Sequence, residues 1–184
     1  MAKFEIAIAN TFKAEGGFQN HPSDNANYVN GVLIGTNRGI SAQGYYSFYK
    51  KMPTVEIMKN LSVEQAKAIF KGNYWDKIAG DLIKNQSVAE LMFQFIIGSG
   101  ASQISDIKDI ANGISDNDPF IIEDDSPIDA SEANIINALD QAKFHEAMWK
   151  WRLAFYDLVV LRNPKKQEFL QGWRNRLATH KFVA

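Results

Sequence analysis

The sequence has no cysteine, three histidines, five prolines in 184 residues and no long apolar run. Without cysteine there are no disulfides, no thiolate nucleophile and no cysteine-based zinc site. His21, His145 and His180 have no spacing that sets two imidazoles on one helical face, so no metal site is expected and the histidines read as solvated or capping residues. The longest apolar stretch, Leu91 to Ile97, is broken by Gln94 and stops at Gly98. That is far short of the ~20 residues a membrane span needs, and no membrane insertion is expected. MAKFEIAIAN at the amino terminus is interrupted by Glu5 and lacks the apolar segment of a Sec signal, so synthesis in the cytoplasm without such a signal is the expectation. Gly98-Ser99-Gly100 lacks the third glycine of a dinucleotide fingerprint and follows a helical pattern, and no phosphate loop occurs. No cofactor is expected.

What is present is enough to fold. Hydrophobic residues make up 46% of the chain and charged residues 22%, outside the compositions that stay disordered. The net charge of −1 conceals an uneven distribution: residues 1–105 carry +2, 106–140 carry −9 and 141–184 carry +6. No Lys/Arg run exceeds two residues, which argues against a nucleic-acid footprint and for an acidic stretch beside a basic helix.

Phe4, Ile8 and Phe12 recur every four residues and predict an amphipathic helix over about 3–15, ended by Gly16-Gly17. Tyr28 to Thr36 has β-branched and aromatic residues on both sides of Asn30-Gly31, a β-hairpin signature. Ser41 is placed to cap a helix through Tyr49, and Ser62 with Gln65 forms a capping box for a helix closing near Gly72. Ser87 with Glu90 repeats that box and opens the apolar VAELMFQFII, read as a central helix that breaks at Gly98-Ser99-Gly100. A helix to about Asn112 and an acidic loop, DNDPFIIEDDSPID, follow. Then come a helix to Leu139 capped by Asp129 or Ser131, a long helix from about Ala142 to Leu161, and a short one around Gly172-Trp173. Asn60 and Asn85 sit in glycosylation sequons but read as helix-cap positions. The fold class read from this pattern is α+β, predominantly helical, with one small β-hairpin and a C-terminal helical extension.

Glu15 stands out as a carboxylate in a helix's last turn, where the macrodipole disfavours negative charge by ~0.3–1 kcal/mol. Apolar walls around it would push its pKa from ~4.3 toward the ~6 of a general acid working near neutrality. Asp24 follows nine positions later in the turn-rich NHPSDNAN, and the hairpin returns Thr36 and Asn37 toward the helix end. Glycosidic cleavage needs one carboxyl to protonate the leaving oxygen and a second polar group to stabilise positive charge or orient water. Glu15 with Asp24 or Thr36 supplies both kinds, while Asp24 also suits a plain turn or cap role.

Glu15-Gly16-Gly17, HPSD, GTNRGIS, YWD at 74–76, FQFIIGSG at 93–100 and FLQGWRNR at 169–176, in that order, resemble glycoside hydrolase family 108. The resemblance implies a lysozyme-like fold for this α+β chain and a bacterial or phage N-acetylmuramidase, a lysozyme-type enzyme cleaving the β-1,4 bond between N-acetylmuramic acid and N-acetylglucosamine. Some members of the family bear the name secretion activator protein. It implies a catalytic domain over 1–114 and a helical peptidoglycan-binding region over 115–184, with peptidoglycan glycan strands as partner. Glu15 matches the catalytic acid, Asp24 takes the place of the family's acidic turn residue, and Thr36 follows at a longer distance than in phage-type lysozymes. Gln94 and Gly98 stand where the family usually has Asp and Asn.

Sugar faces stack on aromatic rings. Tyr28 and Tyr46, flanking the hairpin, are the favoured platforms, with Tyr45, Tyr74, Trp75 and Trp173 also on offer although core packing is the commoner use of the two tryptophans. Arg38 is placed to bind a substrate carbonyl or carboxylate, or to pair with Glu15 or Asp24. A lytic transglycosylase using the same Glu15 is one alternative; a non-catalytic peptidoglycan-binding or secretion-assisting protein is another. The absent signal suits a phage endolysin released through a holin, or a non-Sec exporter, acting in the periplasm or wall.

Overall fold

A computed structural model describes residues 1–12, 16–22, 24–100, 102–115 and 121–184, apart from the side chains of Gly98 and Ser99. The chain is mostly helical, as the α+β reading expects, and has two small antiparallel strand pairs. It forms two compact units, one of residues Phe4–Lys77 and one of Met1–Lys3 with Ile78–Ala184.

In the first unit, helix α1 (Phe4–Phe12) buries Phe4, Ala7, Ile8 and Thr11, the one-face pattern of its sequence. Residues 13–15, and with them the expected end of this helix, lie outside the described residues. Strands β1 (Tyr28–Val29) and β2 (Val32–Leu33) pair antiparallel around Asn30 at φ 50° and Gly31 at φ 78°. Both central residues are left-handed, the turn that matches strand twist. A second pair was not foreseen: β3 (Thr36–Asn37) and β4 (Ile40–Ser41) turn through Arg38 at φ 51° and Gly39 at φ 73°. Arginine is no usual left-handed residue, which hides the turn from a residue-type reading. Ser41 caps α2 (Ala42–Tyr49) through the Gly44 N–H, Thr54 caps the short α3 (Val55–Lys59), and the Ser62/Gln65 capping box forms on α4 (Val63–Phe70). The chain does not stop near Gly72, however. It continues as a π-helical turn over Lys71–Trp75, where a Cβ on Gly72 would lie 2.5 Å from the Phe48 ring. The widened turn carries Trp75 into full burial, 5.7 Å from the Phe4 ring.

In the second unit, α5 (Gln86–Ser99) opens two residues earlier than expected. Asn85, not Ser87, is the cap, accepting from the Val88 N–H at 3.1 Å. The Ser87 hydroxyl instead accepts from the Val183 N–H at 3.0 Å, and Glu90 accepts from Gln86 at 2.9 Å. Val88, Ala89, Leu91, Met92, Phe93, Phe95 and Ile96 are all fully buried, as an all-round apolar helix requires. Gly100 at φ 89° ends it. After α6 (Gln103–Ile114), residues 116–120 of the acidic loop lie outside the described residues. Helix α7 (Ala130–Ala138) begins on an Asp129/Glu132 capping box, and Asp140 and Asn163 flank the long α8 (Gln141–Arg162) before α9 (Gln167–Leu177). His145 departs from the solvated reading: it is buried on α8, its Nε2 has no hydrogen-bond partner among the described residues, and burial with the charge of His180 holds its pKa below the usual value. No helix of the described residues is long and apolar enough to cross a membrane.

Lys108 on α6 is fully buried, and its ammonium reaches Asp124 at 2.6 Å, Glu132 at 3.0 Å and the Ser126 hydroxyl at 3.1 Å. The carboxylates lift the lysine pKa against its burial, and the lysine and Ser126 bonds lower that of Asp124 to about 2. The depressed Asp124 stabilises the fold above its unfolded value near 3.8, and that contribution disappears as pH falls through about 2. The raised Lys108 contributes below its unfolded value of 10.5, and this is lost as pH rises through the folded value. Lys108→Met should therefore unfold at lower urea than wild type across neutral pH, with the gap closing at both the acid and the alkaline extreme. A pH-independent gap in urea melts would disprove the ionic account.

Candidate active site

The turn after α1 is organised by two amides. The backbone of Gln19 bridges to that of Thr36 with N–H to O distances of 2.8 Å in each direction. Its side chain then pairs head to tail with Asn27: Asn27 Nδ2 donates to Gln19 Oε1 at 2.9 Å, and Gln19 Nε2 donates to Asn27 Oδ1 at 3.2 Å. Asn27 is fully buried, so its remaining capacity must also be met. Its Nδ2 donates to the His21 carbonyl at 3.0 Å and its Oδ1 accepts from the Thr36 hydroxyl at 2.7 Å, which uses both N–H groups and both lone pairs. Gln19 Nε2 also donates to Asp24 Oδ2 at 2.8 Å.

Asp24 and Thr36 are thus brought into one network, by Gln19 and Asn27 rather than by direct contact. Asp24 is half-buried and caps the 3-10 turn Asn25–Asn27, its Oδ1 accepting from the Ala26 N–H at 3.0 Å. No cation among the described residues pairs with it. A carboxylate held this way keeps a fixed negative field, and the Thr36 hydroxyl, having donated its proton to Asn27, still has lone pairs with which to accept from a water molecule. Close packing holds the arrangement: Gly35, at φ 125°, lies where a Cβ would come within 2.7 Å of the Phe18 ring and 2.8 Å of the Gln19 carbonyl.

The profile of glycosyl hydrolase 108 matches residues 8–100, half of the chain. The chain belongs to glycosyl hydrolase family 108. Among solved structures it is similar to SagA of Brucella abortus, at 23% identity and a TM-score of 0.74, the match covering 96% of this chain and 90% of that one. No curated protein sequence matches it.

Apart from Trp173, every residue singled out for chemistry falls within the segment that this glycosyl hydrolase 108 member shares with the family profile. Glu15 itself lies outside the described residues. Tyr28 is half-buried and its hydroxyl donates to the Pro22 carbonyl at 3.0 Å, tying its ring to the turn that bears Asp24. Tyr46 is half-buried on α2. Three other expectations change. Asn37 is buried, and its amide donates to the carbonyls of Met58 at 2.7 Å and Lys59 at 3.1 Å, satisfying the end of α3 instead of facing substrate. Arg38 forms no ion pair with Asp24; its Nε donates to the Leu61 carbonyl at 2.9 Å. Trp75 is in the core and has no face for a sugar. Tyr45 and Tyr74 also serve packing, against Tyr49 at 4.6 Å and Phe70 at 5.9 Å, with burial raising both phenol pKa values. Sequence reasoning missed Gln19 and Asn27. Their only signal was a polar run, QNHPSDNAN, too polar for a loop that needs merely to turn.

Proposed function

We propose that this family member is a peptidoglycan N-acetylmuramidase that cleaves the β-1,4 bond between N-acetylmuramic acid and N-acetylglucosamine. Glu15 protonates the leaving glycosidic oxygen. Asp24 stabilises the positive charge that develops on the sugar, and Thr36 orients the attacking water. Tyr28 and Tyr46 offer faces to the sugar rings, residues 1–114 carry the catalysis, and 115–184 hold the glycan strand. The protein acts in the wall, reached by holin-type release or by an exporter other than Sec. The observation that supports this most is the Gln19–Asn27 amide pair, which locks a carboxylate and a hydroxyl together a few residues beyond Glu15-Gly16-Gly17 in a glycoside hydrolase family member.

One feature favours a second reading. Both Asp24 oxygens already accept hydrogen bonds, at 3.0 Å and 2.8 Å, which suits a reaction run by one acid/base, as in a lytic transglycosylase where the muramic hydroxyl attacks intramolecularly. Mass spectrometry of the muropeptides released from purified sacculi separates the two. Hydrolysis gives reducing muramic ends; a predominance of 1,6-anhydro ends would replace the hydrolase by the transglycosylase.

A further inference from the structure

The second unit has a cavity of about 430 Å³ whose wall combines three cations with aromatic faces. Arg152 on α8 is buried and donates from Nη1 to Gln103 Oε1 at 2.7 Å and from Nε to the Tyr156 hydroxyl at 3.3 Å. Its guanidinium carbon lies 5.2 Å from the ring centroids of Phe95 and Phe155 and 5.1 Å from that of Tyr156. These contacts orient the cation without neutralising it; Asp106 accepts from the same Gln103 amide at 2.6 Å and feels the Arg152 charge across it, without forming an ion pair with it. Lys166 and Arg176 complete the charged wall from either end of α9. No carboxylate among the described residues is within ion-pair distance of any of the three, and Asp157 is taken by Arg174 at 2.6 Å. Tyr156 and Trp173, with centroids 5.5 Å apart, also line the cavity.

A buried cation with no counter-ion is costly, and a protein normally pairs it. Arg152 is buried with no ion-paired carboxylate among the described residues, and with the exposed Lys166 and Arg176 it rims a hollow whose charge a ligand can meet; guanidinium groups with an ammonium suit a carboxylate. Tyr156 and Trp173 beside them provide a face for the C–H surface of a sugar or an aliphatic side chain. The cavity is of the size that encloses a small ligand rather than a long chain.

We infer that this cavity is a carboxylate-recognition subsite for the peptide stem of a muropeptide, held by Arg152, Lys166 and Arg176 and laid against Tyr156 and Trp173. The choice of ligand rests on the peptidoglycan reading above; the charge pattern does not. Calorimetric titration of the intact Glu15→Gln protein with disaccharide tetrapeptide tests it, using the same compound with its carboxylates amidated, neutral chitotetraose and inorganic phosphate as comparisons. Disaccharide tetrapeptide should bind, and amidation should weaken it at least about tenfold, the loss expected when charge-assisted bonds are removed. Lys166→Ala with Arg176→Ala, both exposed positions whose truncation leaves the buried Arg152 in place, should weaken it by a similar factor. Equal binding of the amidated compound, equal binding by the double variant, or phosphate binding as tightly as the muropeptide would each overturn the assignment. Cleavage of sacculi by the wild type without muropeptide binding here defeats this inference alone. Binding here without cleavage defeats the hydrolase reading alone.

Discussion

Glu15→Gln is expected to lower sacculus degradation by a factor of about 10²–10⁴, the range general acid catalysis supplies. The substitution keeps the length of the side chain and its capacity to hydrogen-bond, and removes only the titratable proton. Departure of an alkoxide-like sugar oxygen without that proton is the step that slows. The expected companion result is a much smaller loss for Asp24→Asn and for Thr36→Val, since a polarising group and a water-orienting hydroxyl assist a barrier that the acid principally lowers. Turbidity loss of purified sacculi gives the rates, and thermal melts of each variant separate lost chemistry from lost fold. Activity within about threefold of wild type for Glu15→Gln would remove it as the acid. Absence of turnover from both proteins would point to the binding or secretion-assisting alternative.

Gly35→Ala is expected to destabilise the first unit by about 2–6 kcal/mol, adding a strained backbone to an overpacked contact. Gly35 has φ 125°, and a Cβ there meets the Phe18 ring at 2.7 Å and the Gln19 carbonyl at 2.8 Å. The ring can move, but the carbonyl cannot, since it accepts the Thr36 N–H at 2.8 Å in the bridge that aligns the site. Relief of the clash therefore pulls Gln19 from Thr36 and the Thr36 hydroxyl from Asn27, so activity should fall with stability. Gly31→Ala is the internal comparison. Gly31 also has positive φ, at 78°, but its Cβ would meet nothing within 4 Å, which leaves only the left-handed penalty of about 1–2 kcal/mol. Equal losses in denaturant melts of the two variants would show that close packing at Gly35 contributes nothing.

Helix ends were legible where a side chain meets the backbone a few residues away. Ser41, the Ser62/Gln65 box and Asp129 all cap where the sequence put them, and Asn30-Gly31 makes the expected hairpin turn. At α5 the same local rule offered two candidates, Asn85 and Ser87, three residues before Val88 and Glu90 respectively. A contact 96 residues away in sequence, the Val183 N–H to the Ser87 hydroxyl, engages one and leaves the cap to the other.

Amino-acid order alone determined the helical α+β character, the caps of α2, α4 and α7, the first hairpin and the family motifs, because each depends on side chains and backbone within a turn or two of one another. Tertiary structure decided which polar residues are tools and which are struts. Asn37 and Arg38 look as available as Asn27 in the sequence, yet α3 and the segment after it absorb the first two, and Gln19 together with Thr36 claims the third. It also decided that Trp75 is core, through a π turn made possible by the missing Cβ of Gly72, and that Arg152 has no ion-paired carboxylate among the described residues. These outcomes follow from where distant backbone carbonyls, rings and charges come to rest, and the satisfaction of a buried polar group is settled only when every neighbour is in place.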